Sequence, residues 1–348
     1  MGQANTKGTC RMLAIHTKSS PGSFVPGWIQ YCEENSIPYR EVDCLASDII
    51  EQVKGCEALL WHWPHFDIQS QLFARQLVQA IEEMGITVFP STKTCWHYDD
   101  KVGQKYLLEA VGAPIVPTHV FYDKDRALSW VDETSFPKVW KLRGGAGSEN
   151  VRLVRTKQEA RRIIIRSFNQ GWSNSRYHEL KDRFLRFRRN RTLQSLKGIA
   201  RSMSRIIVPS DYVAKGPRQR QYVYFQDFIP DNDCDIRVIV IGNRAFGFKR
   251  MVREGDFRAS GGGINLYDDE LPKECIQIAF DVTTSLQSQC CAFDFVQRGQ
   301  EWLVIEISYA FSVDYYKRCP GFWCRNLNWH EVPVMPEQFM MEDLLDYR

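Results

Sequence analysis

Residues 222–258 decide the fold, and they read YVYFQDFIPDNDCDIRVIVIGNRAFGFKRMVREGDFR. β-Branched and aromatic residues are concentrated in three strand-like stretches, at 222–228, 235–241 and 245–252. The dipeptide Gly242-Asn243 separates the second stretch from the third and is typical of a turn. Two more strand-like stretches follow, at 291–296 and 302–307. The second half of the chain is therefore predicted to form a mixed, mainly antiparallel sheet.

The first part of the chain shows a different pattern, in which short apolar stretches alternate with helix-like ones. The β-like stretches lie at 12–16, 58–63 and 86–89. Residues 69–84 carry apolar side chains at helical spacing, and a second helix is predicted at 99–111, where Gly112 ends it. Residues 1–90 are therefore predicted to form a βαβ-type layer.

Size and composition indicate a globular protein of two or three lobes. Of its 348 residues, 44% are hydrophobic and 13% aromatic, which is enough for a large core. The 45 Lys and Arg nearly balance the 42 Asp and Glu, so the net charge of +3 argues against general nucleic-acid binding. The eleven cysteines include no C-x-x-C pair, and no segment approaches the roughly 20 apolar residues that span a bilayer. We therefore expect a cytoplasmic protein with reduced thiols and no nucleic-acid partner.

A glycine-rich stretch, Arg-Gly-Gly-Ala-Gly-Ser at 143–148, lies between two strand-like runs within 138–154. Most such turns hold no ligand. Here, however, Lys141 directly precedes the stretch, and backbone N–H groups together with a nearby ammonium can bind phosphate oxygens. Because no Gly-Lys-Ser/Thr closes the loop, it differs from a P-loop. The pattern predicts another kind of phosphate-binding architecture.

Charged residues on the predicted strands could complete such a site. Asp235 and Arg237 share one strand face, because residues i and i+2 do, and the following hairpin can bring Lys249 or Arg250 alongside them. The alternative is a set of cross-strand salt bridges on a solvated sheet.

Two carboxylates lie among apolar residues further on, Asp294 in Ala-Phe-Asp-Phe and Glu306 in Val-Ile-Glu-Ile. A single acid in this setting can simply face solvent. Two acids on adjacent strands repel each other unless a cation lies between them, and carboxylate oxygens together with substrate phosphates suit Mg²⁺. The sequence therefore predicts a magnesium–nucleotide site.

These motifs, taken in order, resemble the ATP-grasp family, and most closely the branch that contains glutathione synthetase and the ribosomal-protein glutamate ligases. The series consists of Asp100-Lys101, Lys141 with its glycine loop, 225–230, Asp235-Ile236-Arg237, 254–258, Asp294 and Glu306. The resemblance covers about 91–312, and residues 11–90 resemble the domain that precedes the grasp in that family. It implies an α/β (α+β) ATP-grasp fold with a preceding domain at 1–90. The grasp itself would extend over 91–330, with a lid at about 118–225 and a tail at 331–348.

The resemblance also implies roles for single residues, with ATP and Mg²⁺ as cofactors. Phosphate and lid contacts are implied for Lys101, Lys141, Gly144, Gly145, Gly147 and Ser148, with Lys249 as a further nucleotide contact. Gln226, Asp227 and Phe228 would line the adenine, and Asp235 would bind the ribose. Arg237 and Arg258 would steady the transferring phosphoryl group. Asp294 and Glu306 would hold Mg²⁺, joined by Ser308, where the family usually has Asn.

A basic helical insert at about 167–220 has no counterpart in small ATP-grasp enzymes. Between 176 and 205 it carries ten Lys and Arg against Glu179 and Asp182. One interpretation is a solvated helical face, and the other is a patch that recognises an acidic substrate, such as a uronate-bearing sugar or polymer. The tail beyond 319 resembles a branch associated with surface-polysaccharide and natural-product amide ligases.

The resemblance implies an ADP-forming ligase, in which ATP activates a carboxylate as an acyl phosphate and an amine then attacks it to form an amide. Two alternatives use the same nucleotide site. One is a kinase that phosphorylates a hydroxyl, and the other is a nucleotide-regulated module that binds an acidic polymer.

Overall fold

The computed structural model describes residues 12–145, 150–173, 216–252, 257–258, 264–267 and 270–346. Within these residues the strands form three β-sheets. The first sheet is entirely parallel, in the order β2-β1-β3-β4. Its strands are β1 (Leu13–His16), β2 (Tyr39–Val42), β3 (Ala58–Leu60) and β4 (Thr87–Phe89). They are connected by helices α1 (Val25–Glu34), α2 (Ile49–Gln52) and α3 (Ile68–Glu83). This first lobe is the βαβ layer expected from the alternating apolar pattern.

Two helices lead from the first lobe to the second sheet, α4 (Thr92–Cys95) and α5 (Lys101–Ala110). Helix α5 begins at Lys101 because the Asp100 carboxylate accepts the N–H of Gly103 at 3.0 Å, satisfying a donor that the first helical turn leaves open. It ends before Gly112, which has a φ of +69° that glycine adopts without strain. The cap therefore fixes Lys101 at the first position of a helix.

The four-stranded sheet that follows is antiparallel, in the order β5-β8-β6-β7. Its strands are β5 (Thr118–Phe121), β6 (Lys138–Lys141), β7 (Val151–Val154) and β8 (Val223–Asp227). Helices α6 (Lys124–Glu133) and α7 (Lys157–Asn169) pack on it around a core that includes Trp140 and Phe225. The strands of this sheet extend from 118 to 227, and β6 and β7 are the hairpin strands expected on either side of the glycine loop.

The largest sheet has seven strands, with β13-β12-β9-β10-β14-β15 in order and β11 paired to β10. Its strands are β9 (Cys234–Ile241), β10 (Arg244–Met251), β11 (Asn265–Leu266), β12 (Cys290–Arg298), β13 (Glu301–Ser308), β14 (Phe322–Cys324) and β15 (Trp329–His330). A helix that was not predicted, α8 (Lys273–Leu286), packs through Cys275, Ile276 and Phe280 on the face that carries Ile236. The predicted antiparallel second half and the α/β (α+β) class are confirmed.

The opposite face of the seven-stranded sheet joins the first lobe. Ile239 and Phe246 share one core with Trp28 of the first lobe and with Met341 of the C-terminal helix α9 (Pro336–Asp346). The residues after 330, predicted as a tail, thus include a helix that packs into this core. None of the described helices has the length and apolar character needed to cross a membrane.

Several predicted features lie outside the described residues. They are Gly147 and Ser148 of the glycine loop, the basic segment 176–205 and residues 254–256 of the Glu-Gly-Asp-Phe-Arg motif. The roles given to them stay predictions.

Candidate active site

A cavity of about 380 Å³ lies where the two antiparallel sheets meet the first lobe. The predicted site residues that line it are Lys101, Lys141, Gly145, Gln226, Asp227, Phe228, Asp235, Arg237, Arg258, Asp294, Glu306 and Ser308. His65, Tyr98 and Asp99 also line it. Residues as far apart in the chain as His65 and Ser308 therefore surround one space.

The seven-stranded sheet contributes a row of charged side chains from a single face. Residues directly opposite each other in antiparallel strands point to the same side. Asp235 lies opposite Arg250, Arg237 lies opposite Asp294, and Asp294 lies opposite Glu306. Asp235 and Arg237 share one face of β9, as expected, and the row of charged side chains on that face crosses the four strands β10, β9, β12 and β13.

Alternating charges hold this row together. Asp294 accepts hydrogen bonds from Arg237 Nη1 at 2.9 Å and pairs with Arg250 Nη2 at 2.8 Å. Arg237 also donates from Nε to the Tyr316 hydroxyl at 2.8 Å. Burial by itself would raise the pKa of Asp294, but the two guanidinium groups outweigh it and lower that pKa. Burial would likewise lower the pKa of Arg250, yet Asp294 and Asp235 raise it. Asp294, Arg237 and Arg250 are therefore all charged.

Arg250, rather than Lys249, is the basic residue of this hairpin that contacts the site carboxylates Asp235 and Asp294. Lys249 lies opposite Ile236, which packs against α8, so the lysine projects from the other face of the sheet. Lys249 is not among the residues that line the cavity, and the nucleotide contact given to it stays a prediction. A two-residue turn at Gly242-Asn243 pairs Ile241 with Arg244, and counting back along both strands from that pair places Arg250 opposite Asp235.

Asp235 lines the cavity and also has a partner within the protein. Its two carboxylate oxygens accept hydrogen bonds from Arg250 Nε at 2.6 Å and Nη2 at 2.7 Å, a bidentate arrangement in a buried position. Asp235 therefore orients Arg250, and its contact with a ribose stays a prediction.

Lys101 and Lys141 bring two ammonium groups to the other side of the cavity, and both are buried. Lys101 Nζ lies 3.1 Å from Glu306 Oε1, and Lys141 Nζ donates to Gln226 Oε1 at 2.6 Å. Burial lowers the pKa of Lys141 to about 8, because Glu306 only partly compensates. Burial also disfavours the charged form of Lys101, but Glu306 and Asp99 outweigh it and raise its pKa.

The start of the glycine loop is attached to the helix that carries Lys101. Gly145 lines the cavity, and its N–H donates to Asp99 Oδ1 at 2.7 Å. Gly144 lies directly against the same carboxylate, since an added Cβ would lie 3.0 Å from Asp99 Oδ2. Sequence patterns do not reveal the contacts of Asp99 and Tyr316, because their partners lie 46 and 79 residues away along the chain.

Asp294, Glu306 and Ser308 were predicted to bind a metal, and they lie on the same sheet face. Among the described residues there is no group of three or more His, Cys, Asp and Glu side chains arranged for a metal. Two carboxylates and a hydroxyl are nevertheless a fitting partial set for Mg²⁺, which takes one or two carboxylates and completes its shell with phosphates and water. Arg237, Arg250 and Lys101 already neutralise the two acids, so the acids can lie on adjacent strands without a metal between them.

Comparison with known proteins gives a family for part of the chain. Residues 192–319 match the model of the RimK-like ATP-grasp domain. This range contains Gln226, Arg237, Asp294 and Glu306 and lies C-terminal to both Lys101 and Lys141. No curated protein matches the chain.

Solved structures with the same fold extend further along the chain. D-cycloserine synthetase DcsG has a TM-score of 0.58 at 13% identity and covers 97% of this chain and 99% of its own. D-alanine–D-alanine ligase from Bacillus anthracis has a TM-score of 0.57 at 13% identity, with 97% and 98% covered. A RimK domain ATP-grasp protein from Sphaerobacter thermophilus DSM 20745 has a TM-score of 0.53 at 14% identity, with 85% and 90% covered.

The chain has the ATP-grasp fold, and its residues 192–319 match an ATP-grasp domain. The predicted resemblance to the ATP-grasp family is thereby confirmed for the fold and for this part of the chain. Identities of 13% and 14% show a shared fold, so the roles of single residues depend on the geometry described above.

We predict that Asp235→Ala will lower the free energy of unfolding of the protein by about 1.5 to 3 kcal/mol, because Arg250 loses two charge-assisted hydrogen bonds in a buried position. Denaturant unfolding followed by tryptophan fluorescence measures the change. Glu301→Ala is the control, because it removes the partner of exposed Arg298 and should cost less than about 1 kcal/mol. Unchanged stability in Asp235→Ala would show that its hydrogen bonds to Arg250 do not stabilise the fold.

Proposed function

We propose that this protein is an ATP-dependent carboxylate–amine ligase that forms an amide through an acyl phosphate. The observation that carries the proposal is the convergence of Lys101, Lys141, Arg237 and Arg258 with Asp294 in one cavity. Four cations around acidic residues can bind a polyphosphate and a substrate carboxylate together. The ATP-grasp fold supports this interpretation, because the solved relatives include ligases and synthetases.

The cavity offers an apolar end and a charged end, as a nucleotide requires. Val139, Phe228 and Ile305 line it near Gln226, which suits an adenine ring with a polar edge. Lys141 donates a hydrogen bond to Gln226, so its ammonium group lies directly beside the apolar part of the lining. The structure of the Bacillus anthracis ligase complexed with ATP shows that the fold accommodates this nucleotide.

The proposed chemistry needs charge neutralisation and alignment. A carboxylate oxygen of the substrate attacks the γ-phosphorus of ATP, giving an acyl phosphate and ADP. The amine then attacks the acyl carbon, loses a proton and expels phosphate. Lys101 and Lys141 would hold the phosphates, while Arg237 and Arg258 would stabilise negative charge on the transferring group. Asp294 and Tyr316 hold Arg237 by hydrogen bonds, so its guanidinium is oriented in advance.

Asp294, Glu306 and Ser308 would hold Mg²⁺ through oxygen atoms. When bound, the ion would neutralise charge on the phosphate oxygens. Ser308 stands where the family usually has Asn. Its hydroxyl donates to the Ala310 carbonyl at 2.8 Å, which keeps this side chain close to the strand.

We predict that Glu306→Gln will remove most of the Mg²⁺ dependence of ADP binding, because the amide keeps the shape of the side chain but offers the ion no charge. Calorimetric titration of ADP with and without Mg²⁺ measures this without requiring the substrates. Glu301→Gln is the matched control, since this residue begins the same strand and is exposed. If Glu306→Gln responds to Mg²⁺ as the unchanged protein does, Glu306 serves only as the partner of Lys101.

Trapping with hydroxylamine tests the reaction itself. Incubation with ATP, Mg²⁺, hydroxylamine and a panel of carboxylic acids should give a hydroxamate and one ADP for each molecule formed, because hydroxylamine replaces the amine in attacking the acyl phosphate. Mass spectrometry and an ADP assay follow both products. Arg258→Ala should lose the product, whereas Arg298→Ala, on an exposed turn, should keep it.

The rival functions give different products in the same assay. A kinase would convert a hydroxyl compound into a stable phosphate ester without consuming the amine. A nucleotide-regulated binding module would bind ATP and release neither ADP nor phosphate. Either result would replace the ligase proposal.

The uronate or polysaccharide substrate stays a hypothesis that depends on the basic segment 176–205, which lies outside the described residues. We predict that changing Arg186, Arg188, Arg189 and Arg191 to Gln weakens binding of a uronate polymer and removes its salt dependence. Kinetics over a range of ionic strength measure this. Unchanged kinetics at every salt concentration would indicate a solvated helical face.

A further inference from the structure

Asp99 occupies an unusual position beside the cavity. It directly precedes the Asp100 cap of α5 and has a φ of +52°, in the left-handed region that costs a non-glycine residue energy. Its carboxylate faces the start of the glycine loop, where Oδ1 accepts the Gly145 N–H at 2.7 Å. Its other oxygen lies so close to Gly144 that an added Cβ would approach it to 3.0 Å. The left-handed backbone of Asp99 and the absence of a side chain at Gly144 both allow this contact.

Gly145 is held from its other side as well. Its carbonyl accepts a hydrogen bond from Lys101 Nζ at 2.7 Å, and the Lys101 N–H donates to the Arg143 carbonyl at 2.9 Å. Asp99 thus accepts the N–H of Gly145, and Lys101 donates to its carbonyl. Two residues that are close in sequence therefore hold one loop residue. Lys101 Nζ also contacts Glu306, so its described contacts use two of the three N–H bonds of an ammonium.

We propose that Asp99 is a positioning residue that fixes the start of the glycine loop, Gly144 and Gly145, at the phosphate end of the cavity. The inference rests on the proposed function, because it assumes that a nucleotide binds there. Asp99 is itself unsuited to bind phosphate, since a carboxylate repels it. Its effect comes through the hydrogen bond that it accepts from the Gly145 N–H.

The hydrogen bond can be tested without nucleotide. With ¹⁵N-glycine labelling, exchange of the Gly145 amide with solvent should become at least about tenfold faster in Asp99→Ala, since a charge-assisted hydrogen bond is lost. Asp99→Asn should restore most of the protection, because its amide oxygen can still accept the N–H. Unchanged signals from distant glycines such as Gly299 would show that each variant is folded.

Nucleotide binding tests the consequence. The Kd for a non-hydrolysable ATP analogue should rise about tenfold in Asp99→Ala and stay near the original value in Asp99→Asn. Asp123→Ala is the matched control, because Asp123 accepts the Arg126 N–H at 2.8 Å at the start of α6, outside the cavity lining. It should change neither Gly145 exchange nor nucleotide affinity.

Three results would overturn the proposal. They are unchanged exchange of Gly145 in Asp99→Ala, faster exchange with unchanged nucleotide affinity, and an Asp99→Asn variant that behaves like Asp99→Ala in both measurements. A failure of the proposed function would look different. The unchanged protein would then bind no nucleotide, or would bind it and form no hydroxamate, while the exchange experiment would still report on Asp99.

Discussion

The site depends on one partly buried ion-pair network, in which Asp294 pairs with Arg237 and Arg250. A guanidinium in such a position is costly unless carboxylates neutralise it, and a carboxylate is costly unless cations do the same. Asp294 pairs with two guanidinium groups, that of Arg237 on β9 and that of Arg250 on β10. Removing Asp294 would therefore leave two cations undercompensated, whereas Asp235 supports only Arg250. The network fixes where positive charge faces the cavity before any ligand binds.

The same strand that carries this network also anchors the first lobe. On one face of β9, Asp235 and Arg237 belong to the cavity, and Ile239 and Ile241 continue the row into the shared core. A polar half and an apolar half thus follow each other along a single strand face. Because the core fixes the strand against the first lobe, it also fixes the distance from Arg237 to His65 and Tyr98, which line the same cavity.

Much of this arrangement could be predicted from the sequence, because it depends on local pattern. Strand alternation placed Asp235 and Arg237 together, and the two-residue turn at Gly242-Asn243 contains the information that selects Arg250 over Lys249. The pairing of Asp294 with Glu306 could not be obtained by counting. The turn after Arg298 would place Asp294 opposite Ile305, and a β-bulge between Asp294 and Phe295 shifts the register by one residue.

The bulge decides which face of β13 carries Glu306, and therefore whether the residues predicted to bind a metal lie together. A shift of a single residue exchanges the two faces of a strand, so without it Glu306 would project toward the α8 side, where Phe293 and Phe295 are packed. With it, Glu306 lies on the side of Lys101 and Asp294. The contacts of Asp99 and Tyr316 are likewise invisible to periodicity, because they form only when distant segments dock. Sequence patterns identify which residues can act, and register and docking decide which of them meet.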